Sequence, residues 1–135
     1  MKAIADTGFL VAFANRRDHH HSWALALAGE VTEPMLTCEA VLSEAAFHLK
    51  SSAVVLAMVE ERLLTLAFDA RKNLKELRQL ASRYSDRNPD FADLCLVRMS
   101  ELNPKHSVVT VDARAFGVYR RNGREVIPLI TPGRR

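Results

Sequence analysis

Five carboxylates interrupt segments of this chain that otherwise read as core strands and helices: Asp6, Glu44, Asp90, Asp93 and Asp112. Asp6 follows the apolar residues near the start of the chain, and Asp112 follows a run rich in β-branched residues. Asp90 and Asp93 are three residues apart, which places both on one face of a helix. A carboxylate among apolar neighbours costs free energy unless something pairs with it. The pattern therefore raises the question of what these acids bind.

A divalent cation is the partner that fits this set of side chains. Like charges repel one another strongly in a cleft of low dielectric, so a carboxylate cluster needs either protons or a cation. Carboxylate oxygens suit Mg²⁺ or Mn²⁺ rather than zinc. A cation held in this way activates a water molecule and stabilises the charge that develops on a phosphate. We therefore expect a Mg²⁺ or Mn²⁺ site formed by Asp6, Glu44, Asp90, Asp93 and Asp112, with phosphodiester hydrolysis as its chemistry.

Each acid also has a purely structural explanation, which its spacing leaves open. These explanations are a helix cap for Asp6, a partly exposed helix position for Glu44, a helix-dipole role for Asp90, a first-turn position for Asp93 and a turn start for Asp112. Taken together, these structural explanations are less convincing, because all five acids fall where the site of an α/β domain would form.

Alternating strands and helices must position the acids. Short apolar or β-branched runs predict strands over 2–6, 35–37, 63–68, 106–112 and 125–130. Apolar stripes at helical spacing predict helices over 7–15, 18–29, 39–49, 53–63, 70–84 and 90–102, with a turn or short helix after Asp112. We expect Thr7 and Asp18 to cap the first two helices and Gly29 to end the second.

This alternation is typical of an α/β domain with a mainly parallel sheet. Functional sites in such sheets lie at the carboxyl ends of the strands, where Asp6 and Asp112 are predicted to be. Pro128 disfavours a central position for the last strand, so we expect that strand at an edge.

The composition is that of one soluble globular domain over residues 1–135. Hydrophobic residues make up 48% of the chain and charged residues 26%, which is ordinary for a soluble protein. No apolar run approaches the roughly 20 residues of a membrane span, and the N-terminus lacks a signal-peptide pattern. We therefore expect a cytoplasmic protein with no membrane partner. Cys38 and Cys95 lie in apolar segments without zinc-type spacing, which favours buried free thiols.

Positive charge is concentrated in two segments, although the net charge is only +3. From Ala113 onward the chain carries one acid, Glu125, and six arginines, at positions 114, 120, 121, 124, 134 and 135. A second basic cluster runs from Arg71 to Arg87. Such segments bind polyanions including RNA, although a solvated surface explains them as well.

Four segments resemble one known family when they are taken together. They are ADTGFLVAFANRRDHHHSWA (5–24), LTCEAVLSEAAFHL (36–49), DFADLCLVRMSE (90–101) and VVTVDARAF (108–116), and they span nearly the whole chain in the order in which the family has them. The chain resembles the PIN-domain ribonucleases, most closely the VapC-like toxins of bacterial type II toxin–antitoxin pairs. The resemblance implies a three-layer α/β/α sandwich with a mainly parallel central sheet, and a metal-dependent endoribonuclease that cleaves RNA phosphodiester bonds.

The resemblance also assigns roles to residues and partners. By position, the catalytic acids of the family fall on Asp6, Glu44, Asp93 and Asp112, and Asp90 is similar to an additional acid in relatives with the DFAD form. Thr7 and Thr110 match positions whose hydroxyls lie beside the site. The implied partners are RNA, a small cognate antitoxin protein and a second copy of the chain in a homodimer. Separately from the resemblance, the positive charge of the arginines that follow the last acid makes them candidates for contacts with RNA phosphates: Arg114, Arg120, Arg121 and Arg124.

One position departs from the family pattern. Members often carry an acid or amide three residues after the fourth acid, where this chain has Ala115. The departure leaves the choice between one and two metal ions open. It also motivates an alternative, a non-catalytic PIN-like module that binds RNA or protein.

Two further features are less informative. The histidines of DHHH, residues 18–21, would point in different directions on a helix, so we expect a capping and surface role for this run. A phospho-accepting signalling domain of the doubly wound type would need an acidic pair after the first strand and a lysine after a late strand, and the sequence has neither.

Overall fold

The computed structural model describes residues 1–133, so Arg134 and Arg135 of the C-terminal arginine cluster lie outside the described residues. The strands are β1 (Ala3–Ala5), β2 (Met35–Thr37), β3 (Leu64–Leu66), β4 (Ser107–Val109), β5 (Arg120–Arg121), β6 (Glu125–Val126) and β7 (Leu129–Ile130). The helices are α1 (Thr7–Ala14), α2 (His21–Glu30), α3 (Glu39–Leu49), α4 (Ser52–Glu60), α5 (Leu74–Arg83), α6 (Phe91–Leu102) and α7 (Ala113–Phe116), with 3₁₀ turns at Ala70–Asn73 and Ser85–Arg87.

A five-stranded parallel sheet forms the centre of the fold. Its strand order is β3-β2-β1-β4-β7, and all of its pairings are parallel. Strand β1 is buried along its whole length, as expected for a strand covered on both faces. Ile4 lies opposite Leu36 on one side and Val108 on the other. The predicted α/β class and parallel sheet are confirmed.

Helices flank the sheet and supply most of the remaining core. Helix α1 packs against α2 and α3, α3 packs against α4 and α6, and α5 packs against α6. The largest fully buried side chains on these helices include Phe9, Leu10, Leu27, Leu96 and Met99. Cys38 and Cys95 are buried free thiols, as predicted. None of the helices in the described part of the chain has the length and apolar character that crossing a membrane requires.

Three predicted helix ends were wrong for local reasons. Asp6, not Thr7, caps α1, because its carboxylate accepts the Thr7 backbone N–H at 2.6 Å. Asp18 accepts the His20 N–H in a turn, and α2 begins only at His21. Gly29 lies inside α2, which ends at Glu30. In the first two cases a side-chain carboxylate accepts a backbone N–H beside the predicted position.

The C-terminal segment differs most from its prediction. Residues 125–126 do not extend the last sheet strand but pair with Arg120–Arg121 in a separate antiparallel hairpin. Asn122 and Gly123 form its turn with φ of 53° and 80°, a conformation that glycine and asparagine tolerate best. The remaining Leu129–Ile130 pairs with β4 at the edge of the sheet, where Pro128 predicted it.

Candidate active site

Two acids lie where neighbouring parallel strands end. Strands β1 and β4 pair in register, with Ala5 opposite Val109, and the Asp6 N–H continues the ladder by donating to the Val109 carbonyl at 3.0 Å. Asp6 and Asp112 therefore both follow the carboxyl ends of their strands, on the same side of the sheet. Open parallel sheets bind their ligands at the carboxyl ends of the strands.

Two threonines fix the carboxylates nearest the sheet. The Thr110 hydroxyl is fully buried; it donates to Asp6 Oδ2 at 2.7 Å and accepts the Asp112 N–H at 2.9 Å. The Thr7 hydroxyl donates to Glu44 Oε1 at 2.8 Å. Helix α3 thereby brings Glu44 to the carboxyl end of β1. The expectation that both hydroxyls lie beside the acids is confirmed.

Helix α6 contributes Asp90 and Asp93. Asp90 caps this helix, with its Oδ1 accepting the Asp93 N–H at 2.8 Å. The Tyr119 hydroxyl donates to Asp93 Oδ2 at 3.1 Å. Asp112 is held similarly, since its Oδ1 accepts the Ala115 N–H at 3.0 Å. Asp6, Asp90 and Asp112 thus combine a capping role with a place in the acid cluster, so the structural explanation of these residues does not exclude the chemical one.

One cleft of about 510 Å³ contains all five predicted acids. Its size is within the range of small-molecule and substrate sites. Gly8 forms part of the floor, where a Cβ would collide with the Val111 side chain. Asp18, His20 and His48 complete one wall, so part of the DHHH run faces the cleft rather than only the surface. The structure therefore brings together Asp6, Glu44, Asp90, Asp93 and Asp112.

Burial and mutual repulsion raise the pKa of two of these acids. Desolvation raises the pKa of Asp6 to about 6, and the negative charges of Glu44 and Asp90 add to this effect against the opposing hydrogen bond from Thr110. Desolvation raises the pKa of Asp93 to about 7, with contributions from the charges of Asp90 and Asp6. These shifts mark a site that disfavours excess negative charge at neutral pH.

The donor set suits a hard divalent cation. Five carboxylates supply oxygen ligands, and their repulsion is the kind that a bound cation relieves. Within residues 1–133, however, no three His, Cys, Asp or Glu side chains already stand in an arrangement that could hold a metal ion. The acids share a cleft without forming a closed set of ligands.

Tyr119 is a residue of the site that the sequence did not predict. It is buried, and burial together with the Asp93 charge raises the pKa of its hydroxyl. Its ring packs edge-on against Tyr84 and Phe116. No local pattern marks this tyrosine, because its contact with Asp93 spans 26 positions of sequence.

The arginines after Asp112 divide into two groups. Arg121 is buried, donates to the Ser100 and Pro104 carbonyls and pairs with Glu125 at 3.4 Å. Arg120 donates to the Gly117 and Tyr119 carbonyls. The prediction that Arg121 contacts RNA is therefore wrong, because its side chain holds the hairpin in place. Arg114 and Arg124 are exposed.

Comparison with known proteins supports the fold and the family. The model of the PIN domain family matches residues 3–121. The structure is similar to that of VapC20 of Mycobacterium tuberculosis, described as a toxin that cleaves the sarcin–ricin loop, with a TM-score of 0.73 and 17% identity over 94% of this chain and 100% of that one. A search of curated protein sequences finds no match.

Proposed function

The chain belongs to the PIN-domain family, and we propose that it is an endoribonuclease that depends on Mg²⁺ or Mn²⁺. The observation that supports this most strongly is the convergence of five carboxylates at the carboxyl ends of the sheet strands. We assign Asp6, Glu44, Asp93 and Asp112 as catalytic residues and as cation ligands, with Asp90 as a further ligand. When bound, the cation supplies a polarised water and neutralises charge on the scissile phosphate.

The protein's own groups hold the carboxylates in place for this chemistry. Hydroxyls of Thr7, Thr110 and Tyr119 each donate to one carboxylate oxygen. The other oxygen of Glu44 and of Asp93 stays available, since no hydrogen bond to it occurs among the described residues. A carboxylate at such a position orients the attacking water as it displaces the leaving oxygen from phosphorus. Fixing the acids in advance lowers the reorganisation that the reaction needs.

Regulation as a toxin is part of the proposal. The fold is shared with VapC20, which is described as a toxin, and an acidic cleft open to solvent needs control in a cell that contains its own RNA. We propose a small antitoxin protein that covers the cleft, a homodimeric toxin, and action in the cytoplasm, where the RNA substrates are.

RNA cleavage by the purified protein tests the proposal. Total cellular RNA and a sarcin–ricin loop fragment would be incubated with Mg²⁺, with Mn²⁺ and with EDTA. Asp6→Asn removes one proposed ligand, and Asp69→Asn makes the same change at an exposed capping aspartate outside the cleft. We expect discrete fragments that require the metal, disappear in Asp6→Asn and persist in Asp69→Asn.

Two outcomes would contradict the proposal. Cleavage that survives in Asp6→Asn, or in EDTA, would point to a contaminating nuclease or to a different active site. RNA binding without cleavage under either metal would favour the alternative of a non-catalytic PIN-like module.

A further inference from the structure

A second cavity, of about 400 Å³, adjoins the acidic cleft. The two cavities share Asp90, Asp93 and Asp112. The character of the second cavity is different, because Arg87 and Arg114 also line it. A substrate strand that lies on the three shared acids would therefore continue into a space bordered by positive charge.

The guanidinium groups of Arg87 and Arg114 hold no other part of the described structure in place. Among the described residues their guanidinium groups make no hydrogen bond and no salt bridge, and both side chains are exposed. By contrast, Arg98 binds Asn73 and Glu101. Arg87 is nevertheless close enough to the cavity floor for its charge to lower the pKa of the Tyr119 hydroxyl, against the larger effect of burial. The free guanidinium groups are available for a ligand.

We propose that this cavity binds a phosphate of the RNA strand next to the scissile one, with Arg87 and Arg114 as its ligands. This inference rests on the proposed nuclease function, because the acidic cleft defines where the scissile phosphate lies. Planar guanidinium groups match phosphate oxygens with paired, charge-assisted hydrogen bonds. A residue from the turn before α6 and one from α7 together fix the direction in which the strand leaves the acids.

Ala115 supports the assignment, because it adds no further carboxylate beside Arg114 to the three acids that already line the cavity. Its N–H is already used by Asp112, and its side chain adds only a methyl group. A carboxylate at this position would neutralise the arginine and repel a phosphate. Pro89 and Val118 supply apolar wall, which suits the sugar or base of the same nucleotide. The departure from the family pattern at position 115 thus coincides with the phosphate-binding side of the site.

RNA binding by matched arginine variants tests the proposal. All variants carry Asp6→Asn so that the probe, a fluorescein-labelled single-stranded RNA of about 12 nucleotides, stays intact. Arg87→Gln and Arg114→Gln remove the two proposed ligands. Arg62→Gln removes the same charge before β3, at the opposite, amino end of the strands. Fluorescence anisotropy gives Kd over a series of salt concentrations.

We expect each cavity variant to raise Kd about tenfold and to reduce the slope of log K against log salt by about 0.7, the loss of one phosphate contact. Arg62→Gln should leave both unchanged. Equal losses in all three variants would show only general attraction, and an unchanged slope in the cavity variants would show no phosphate contact. Either result would overturn the proposal.

Ala115→Asp separates the phosphate from a cation as the occupant of the cavity. A phosphate site predicts weaker RNA binding when Ala115→Asp is combined with Asp6→Asn, and slower cleavage when Ala115→Asp is made with Asp6 intact. Faster cleavage by the variant with Asp6 intact would mean that the cavity holds a cation and would overturn the inference. Cleavage by the wild-type protein tests the nuclease function, and RNA binding by the arginine variants tests the phosphate site, so the two failures can be distinguished. If the arginine variants bind RNA tenfold more weakly but the wild type cleaves no RNA, the phosphate site is retained and the nuclease function is rejected. If both arginine variants bind RNA normally and the wild type is an active nuclease, the nuclease function is retained and the phosphate site is rejected.

Discussion

Asp6→Asn is expected to stabilise the metal-free protein while it abolishes cleavage. Asp6 is only 8% exposed, and desolvation raises its pKa to about 6. The folded state therefore binds more protons than the unfolded state between the unfolded pKa, near 4, and 6. Stability contributed by this residue is lost as the pH rises through that window, and the loss is complete at neutral pH.

The magnitude follows from the two opposing effects of the substitution. A pKa raised from 3.8 to about 6 corresponds to about 3 kcal/mol of destabilisation by the ionised carboxylate. Asparagine removes that charge but has one acceptor oxygen instead of two, so the bond from Thr7 or from Thr110 is weakened at a cost of about 1 kcal/mol. We therefore expect a net gain of about 2 kcal/mol near pH 7.5, or about 6 °C in Tm.

Thermal unfolding in EDTA at about pH 7.5 and about pH 4 measures this effect. The gain should vanish or change sign at the lower pH, where the wild-type carboxyl is protonated. Asp69→Asn, at an exposed cap, should change stability by less than about 0.5 kcal/mol at either pH. Mn²⁺ should raise the Tm of wild type alone, because it binds the folded acid cluster. A loss of stability in Asp6→Asn of equal size at both pH values would refute the reasoning.

Two matched pairs of substitutions extend this test to the groups that support the acids. Thr110→Val removes the hydroxyl bonded to Asp6, so we expect about 1–3 kcal/mol of destabilisation and about tenfold slower cleavage. Thr37→Val deletes another fully buried hydroxyl and should lose stability but keep activity; equal activity losses in the two variants would contradict a positioning role. Gly8→Ala forces a methyl group into the cleft floor and should cost about 1–3 kcal/mol in urea unfolding. Gly29→Ala, which has open space around it, should raise the free energy of unfolding by about 0.5–1 kcal/mol. A Gly8→Ala protein as stable as the wild type would show that the cleft floor is packed less tightly than in the structure.

The central strands and helices could be predicted because their periodicity is local. Residues 39–49 form α3 with the bounds that the apolar stripe predicts, and β2 likewise covers 35–37. Predicted helix 70–84 instead divides at Asn73, whose amide donates to the Asp69 carbonyl and whose oxygen is held by Arg98. Arg98 is 25 positions away, so no local pattern contains this interruption.

The hairpin at residues 120–126 was not predicted, although the sequence contains a local turn motif for it. Asn122-Gly123 is a strong hairpin turn sequence, but it lies between arginines and not between alternating hydrophobic residues, which hid the strands. The family of the chain was predicted correctly from its four segments. The five acids could be selected because each interrupts an apolar or strand-forming run.

The contacts that hold the acids could not be predicted from the sequence. The bond between Thr110 and Asp6 joins residues 104 positions apart, and that between Thr7 and Glu44 joins residues 37 apart. Both depend on the order of strands and helices around the sheet. The division of the arginines into structural and free groups likewise depends on the hairpin, which folds Arg121 inward.

The central claim is that the acids at the carboxyl ends of the strands catalyse RNA cleavage. The cleavage rates of a matched pair of aspartate variants test this claim most directly. Asp93→Asn changes an acid of the cleft, and Asp86→Asn makes the same change in the exposed turn just before α6. At one Mn²⁺ concentration, on an RNA that the wild type cleaves, we expect Asp93→Asn to be slower by about a hundredfold or more and Asp86→Asn to match the wild type. Equal rates for all three proteins would place the chemistry elsewhere and contradict the assignment of this cleft as the active site.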